Sequence, residues 1–197
     1  ATDVTIDLNG HNITFASWGF EVREGATLTF NGNGNVTAAE AALYAQYAGN
    51  LVVNGGTYTS TNNFVIGTHG STGRGGNTIT INGGTFNGSM SAEGVADGYI
   101  ACGIYVANSD TVTINGGTFN VTNGVGIVAR SGSTTVGADV VINNLGTNEI
   151  SGKVGDASKP TIASGYAIVW DFVAGYPGGA PTLTNNSAYT VYTVEAE

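Results

Sequence analysis

The chain has 197 residues and a mass of 19.8 kDa, with five Lys and Arg against fourteen Asp and Glu. The resulting net charge of −9 argues against nucleic acid and anionic lipid as partners, and apolar runs too short for a bilayer argue against membrane insertion. Glycine is abundant at 32 residues without Gly-X-Y triplets, and only 10% of residues are charged, so neither collagen nor a disordered chain fits.

In chain order, one Asn-centred motif recurs. It begins as Ile6-Asp7-Leu8-Asn9-Gly10 and Leu28-Thr29-Phe30-Asn31-Gly32, and continues as Leu51-Val52-Val53-Asn54-Gly55-Gly56 and Ile79-Thr80-Ile81-Asn82-Gly83-Gly84. Val112-Thr113-Ile114-Asn115-Gly116-Gly117 and Val140-Val141-Ile142-Asn143-Asn144 follow, with a degenerate seventh copy near Thr182-Leu183-Thr184-Asn185-Asn186. The spacing grows from roughly 22 to about 33 residues, the period of a solenoid. Apolar residues three and one before each Asn predict a strand with one buried face. Ile13, Tyr58, Phe86, Phe119 and Tyr189, four after most of the Asn, predict a second strand past the turn. A third is predicted at Phe20-Glu21-Val22, Leu43-Tyr44-Ala45, Phe64-Val65-Ile66, Ile104-Tyr105-Val106 and Ile127-Val128-Ala129. The Ala-rich stretch from Ala38 to Ala48 has helical propensity, but its ungapped match to the other third strands argues for strand.

Three short strands per repeat with fixed apolar columns describe an all-β right-handed parallel β-helix of about seven coils, stacked about 4.8 Å apart. Residues 1–165 would carry the repeats, and 166–197 the last irregular coil and a C-terminal cap of the same domain. Asn9, Asn31, Asn54, Asn82, Asn115 and Asn143 are expected to form a structural ladder at one corner, hydrogen-bonded from coil to coil, with the following Gly-Gly making the sharp turn. Thr-Ile-Asn-Gly-Gly-Thr-Phe at Thr80 to Phe86 and Thr113 to Phe119, with the opening Val4 to Ile13, resembles the right-handed parallel β-helix proteins of the pectate-lyase-like superfamily. It is most similar there to repetitive segments of bacterial cell-surface proteins and of phage fibres or spikes. That architecture hosts lyases, hydrolases, adhesins and virion proteins, so the resemblance implies fold and not activity.

Catalysis on such a scaffold needs an acidic cluster for Ca²⁺ with a basic residue, or paired carboxylates. The sequence has no Asp pair on a strand, no Gly-His-Gly and no Arg-x-Lys, and its five basic residues share no strand position. No catalytic residue, metal site or cofactor is expected. The best polar candidates for binding lie on two loops, His69 and Arg74 on one, Glu93 and Asp97 on the next. Trp170 and Tyr176 form a candidate sugar-stacking pair near the C-terminus. The lone Cys102 sits in the apolar run Ile100 to Val106 and is read as a small buried hydrophobe.

Alternation along the third strand turns Glu21, Tyr44, Val65, Tyr105 and Val128 outward. Tyr44, Val65, Tyr105 and Val128 are therefore candidate interface residues, for self-association as a homotrimer or for docking to a neighbouring structural protein; cover by the chain's own loops is the competing reading. The function expected is a non-catalytic structural or adhesive module, extracellular and exposed on a bacterial cell surface, with a surface glycan as a further partner. A phage fibre, spike or capsid decoration protein is the alternative, and a carbohydrate-binding or polysaccharide-degrading enzyme the alternative of another class.

Overall fold

A computed structural model describes residues 1–69, 73–91, 101–106, 110–122, 124–129 and 133–145, together with short strands between 151 and 192. The first turn of chain consists of β1 (Val4–Asp7), β2 (Asn12–Phe15) and β3 (Phe20–Val22), and the second of β4 (Thr27–Asn31), β5 (Asn35–Ala38) and β6 (Leu43–Ala45). The third has β7 (Asn50–Val53), β8 (Thr57–Ser60) and β9 (Phe64–Thr68), and the fourth has β10 (Thr78–Ile81), β11 (Thr85–Ser89) and β12 (Ala101–Val106). Next come β13 (Thr111–Thr122), long enough to serve as first and second strand together, then β14 (Gly124–Ala129) and β15 (Ser133–Leu145).

Strands of like position pair in parallel, so the chain is a parallel β-solenoid with three faces. One face runs β1-β4-β7-β10-β13, a second β2-β5-β8-β11-β13, and a third β3-β6-β9-β12-β14. The stretch from Ala38 to Ala48 is strand and turn, as its repeat match required and its Ala content did not.

About four regular turns are present among the described residues, not the seven expected. Beyond β15 the pairing becomes antiparallel: β16 (Ser151–Lys153) lies on β15, β17 (Ile168–Val169) pairs with β20 (Thr182–Leu183), and β18 (Phe172–Val173) pairs with β19 (Tyr176–Pro177). β21 (Thr190–Tyr192) closes antiparallel on β14. The motif remnant near Thr182 thus belongs to a two-stranded ribbon and not to a seventh coil.

Register follows the side chains that stack inside. Leu28, Leu51, Ile79 and Val112 form one inner column, and Phe30, Val53, Ile81 and Ile114 another. On the second face Val36, Tyr58, Phe86 and Phe119 lie above one another. The rings of Tyr58, Phe86 and Phe119 stack at centroid distances of 5.4 and 4.7 Å. All three are fully buried, and burying a side chain of this size contributes about 1.5–3 kcal/mol. The second Gly of each Gly-Gly has a positive φ, 92° at Gly56, 117° at Gly84 and 120° at Gly117. A Cβ on Gly84 or Gly117 would also come within 3.1 Å of the carbonyl oxygen of the coil before, so this corner admits only glycine at the observed spacing.

Three registers differ from the sequence alignment. In the first turn Ile6 pairs with Phe30 and Asp7 with Asn31, two residues away from the motif match. In the third turn Ile66, not Phe64, lies beside Leu43, and Gly67 lies beside Tyr44. The copy at Val140 to Asn143 pairs with Gly117 to Asn120, so it continues the second strand position and not the first.

Candidate functional site

The repeated Asn residues serve the stack. Asn54 Nδ2 donates to Asn31 Oδ1, Asn82 Nδ2 to Asn54 Oδ1 and Asn115 Nδ2 to Asn82 Oδ1, each at 2.7 Å. Asn9 does not join this ladder, because Asp7 occupies the register position above Asn31; Asn9 instead takes a left-handed turn conformation (φ 43°) with its N–H on Asp7 Oδ1. The backbone of Asn143 pairs with Asn120, which donates to Asn87 Oδ1 in a second ladder at 2.9 Å. A further rung joins Asn35 Nδ2 to Asn12 Oδ1 at 2.5 Å.

Of the loop candidates, His69 and Arg74 come together, whereas Glu93 and Asp97 lie outside the described residues. Trp170 also lies outside them, and Tyr176 is placed only as backbone in β19. His69 follows β9 directly, and the returning loop docks on the corner after β6, where Tyr47 N–H donates to Arg74 O at 3.0 Å and Ala48 N–H to Gly75 O at 3.2 Å. Tyr47 and Ala48 both adopt left-handed backbone there, with φ of 53° and 58°. Asn77 fixes the base of the loop. Its Nδ2 donates to Arg74 O at 2.8 Å and to Asp110 Oδ1 at 3.0 Å, and its backbone N–H donates to the same Oδ1 at 2.9 Å. Asp110 is fully buried, and burial raises its pKa against the opposing pull of hydrogen bonds from Thr68, Asn77 and Gly76.

The result is a corner of aromatic and cationic groups in continuous contact. Trp18 meets Tyr44 at a ring distance of 5.3 Å, and Tyr44 meets His69 at 5.9 Å. Arg74 Nη1 lies 2.8 Å from His69 Nε2 and donates to Gln46 Oε1 at 3.1 Å, while its Cζ stands 5.2 Å from the centre of the Tyr47 ring. On the other side of Tyr47, Arg23 lies 5.9 Å from the ring centre and is bound at both ends to Glu21, at 2.5 and 2.7 Å. A guanidinium has no acceptor, so its contact with Nε2 requires the lone pair there and places the His69 proton on Nδ1. Burial, and then the charge of Arg74, hold the imidazole below its ordinary pKa and keep it neutral beside the cation.

The predicted interface column fares differently from its expectation. Val65 is fully buried in the core, Tyr105 is 2% exposed, and Tyr44 is half-buried; the side chain of Val128 lies outside the described set. Phe64 turns its ring to the outer face between Tyr44 and Tyr105, stacked at 5.8 and 5.7 Å. Gly67 makes room for it, since a Cβ there would meet the Phe64 ring at 2.8 Å. The large exposed hydrophobics among the described residues are Val4, Trp18 and Tyr47, and two of these three belong to the corner.

The sequence reading missed Trp18, Gln46 and Tyr47. Their signal was present but faint: aromatic residues in the turns before and after a third strand, where the rest of the repeat places small or polar residues. Cys102 is buried as expected, and burial pushes its thiol pKa up. Among the described residues no group of three His, Cys, Asp or Glu side chains comes together in a way that could hold a metal. Compared with known proteins, the chain matches no family model, no curated protein and no solved structure.

Proposed function

We propose that the chain is a non-catalytic structural and adhesive β-solenoid module, displayed outside the cell on a bacterial surface. The observation that carries this reading is the division of labour among its polar groups. The repeated Asn side chains are consumed by coil-to-coil hydrogen bonds, which give a stiff rod. Among the described residues, the aromatic and cationic groups that do not repeat and stay in reach of solvent gather at one corner. A rod with one chemically distinct corner is suited to presenting a contact, and the likeness of its Thr-Ile-Asn-Gly-Gly-Thr-Phe motifs to repetitive β-helix segments of bacterial surface proteins supports the same reading. The right-handed pectate-lyase-like relationship is part of this proposal.

The test is to coat particles with the purified chain and measure their attachment to host cells, alongside incubation of the chain with a panel of polysaccharides. Attachment above that of uncoated particles, with no new reducing ends and no unsaturated uronide, is the expected result. Release of either product would overturn the non-catalytic part, and absence of attachment the adhesive part. Light scattering on the same sample gives the solution mass: a trimer would support a scaffold role for the rod, and a monomer a role through the corner alone.

A further inference from the structure

We propose that the Trp18–Tyr44–His69–Arg74 corner binds the terminal, carboxylate-bearing sugar of an acidic glycan, a nonulosonic acid of the sialic type. This rests on the adhesive reading and names its ligand.

The argument starts from the donors of one guanidinium. Arg74 spends Nη1 on His69 Nε2 and Gln46 Oε1, and its flat face lies against Tyr47. Among the described residues neither Nε nor Nη2 makes a hydrogen bond, and the only salt bridge is Arg23 with Glu21. The Nε–Nη2 edge carries two parallel N–H groups at the spacing of a carboxylate's two oxygens. It is thus a vacant bidentate site, held in place on its other edge by two acceptors and on its face by a ring. Ordering of the arginine is already complete before an anion arrives, which lowers the entropic cost of binding. Arg23 is not its equivalent, because Glu21 already takes the matching donors.

The neighbours define what else the anion carries. His69 is neutral and so does not compete for the carboxylate as a second cation; it offers a polar ring beside the guanidinium. Beyond it Tyr44 and Trp18 form a tilted aromatic pair, and Trp18 is 45% exposed. An amphipathic aromatic pair separated from a bidentate donor by the His69 ring fits an extended glycan terminus whose C–H face reaches the rings while its carboxylate reaches Arg74. The number of charges on the ligand also follows. Among the described residues Arg74 is the one guanidinium whose outer edge is unpaired, and on a chain of net charge −9 this favours a single carboxylate at a chain end and repels a polyanion bearing one on every residue.

The experiment is calorimetric titration of the full chain with sialyllactose, and with lactose, the sialyl methyl ester and polygalacturonate as comparators. Sialyllactose should bind, with the ester and lactose at least about tenfold weaker. Arg74→Lys keeps the charge but loses the fork and should weaken binding about tenfold, while Arg23→Lys leaves it unchanged. Trp18→Ala should weaken it comparably, and melting temperatures should confirm that each variant is folded. No binding of sialyllactose, equal binding of lactose, preference for polygalacturonate, or full binding by folded Arg74→Lys would each overturn the proposal. The two readings separate on cells. Attachment that persists after sialidase treatment removes the sialic-type ligand and leaves the adhesive role standing, whereas loss of all attachment by untreated cells removes the adhesive role itself.

Discussion

Truncating a rung of the Asn ladder separates the register seen in the structure from the one drawn by motif alignment. Asn82 both donates to Asn54 and accepts from Asn115, so Asn82→Ala removes two side-chain hydrogen bonds. Asn31 accepts from Asn54 and has a single ladder bond, so Asn31→Ala removes one. A net bond contributes about 0.5–1.5 kcal/mol, and these rungs are water-accessible, which puts them near the lower end. The expected losses are about 1–2 kcal/mol for Asn82→Ala and about half that for Asn31→Ala. Asn9→Gly is the control: it preserves the left-handed turn at φ 43° and touches no rung, so it should cost at most a few tenths of a kcal/mol. Urea unfolding followed by far-ultraviolet circular dichroism, with a second probe to check that the stack unfolds as one unit, measures all three. A loss in Asn9→Gly equal to that in Asn82→Ala would refute the register, and equal losses in Asn31→Ala and Asn82→Ala would refute the counting of bonds.

Phe86→Ala should be the most damaging single core change of this set, about 3–5 kcal/mol by differential unfolding, because it empties the middle of the Tyr58–Phe86–Phe119 stack; a loss under about 1 kcal/mol would mean the column collapses around the gap. Gly67→Ala should cost about 1–3 kcal/mol, since its Cβ would press on the Phe64 ring at 2.8 Å and on Tyr105 O at 3.0 Å; a neutral result would show that the outer stack is loose. His69 is held below its ordinary pKa of about 6.5, so the unfolded chain binds the proton first. Its contribution is therefore full above about pH 6.5 and is lost as pH falls through that value towards the folded pKa. Asp110, with its pKa raised by burial, acts in the opposite sense, its contribution being present below the ordinary carboxylate range and lost as pH rises through its folded pKa. Thermal melts from pH 8 to 5 should show a decline in the parent that His69→Gln lacks; identical profiles would remove the Arg74–His69 contact as its cause.

The fold was legible because a stacked solenoid writes the same packing demand into the sequence once per turn. Leu28, Leu51, Ile79 and Val112 are apolar for one reason, and their alignment needs no knowledge of the rest. The misreadings share a cause as well. Motif alignment gives weight to Asn-Gly, but Asn-Gly is turn chemistry, and a turn two residues further on uses it equally well. Leu8-Asn9-Gly10 therefore imitates the ladder corner while Asp7 occupies it. Likewise Val140 to Asn143 copies the pattern of a first strand, yet its backbone pairs with Gly117 to Asn120 at the second strand position. The corner site was half legible: His69 and Arg74 stood out as unrepeated polar residues, but their junction with Tyr47 and Gln46 depends on how the loop folds back, and no periodicity records that.

The outer face of the third sheet shows why an apolar outward column is weak evidence for a partner. Alternation put Val65 between Tyr44 and Tyr105 and left a stripe that called for cover. In the structure a two-residue shift brings Gly67 to that position, and the vacated space takes the ring of Phe64. Tyr44, Phe64 and Tyr105 then cover one another face to face, with Phe64 4% and Tyr105 2% exposed. The same aromatic content that argued for a second chain is thereby used within the first. What remains open is the end of the stack, where Trp18 leans on Tyr44 and keeps 45% of its surface in water. Through Tyr44 and His69 that residue is linked to the guanidinium whose outer edge is unspent, so among the described residues an exposed ring and an unpaired cation belong to one line of contacts. A partner that satisfies only one of the two would leave the other without purpose, and a ligand with a hydrocarbon face and a single carboxylate satisfies both.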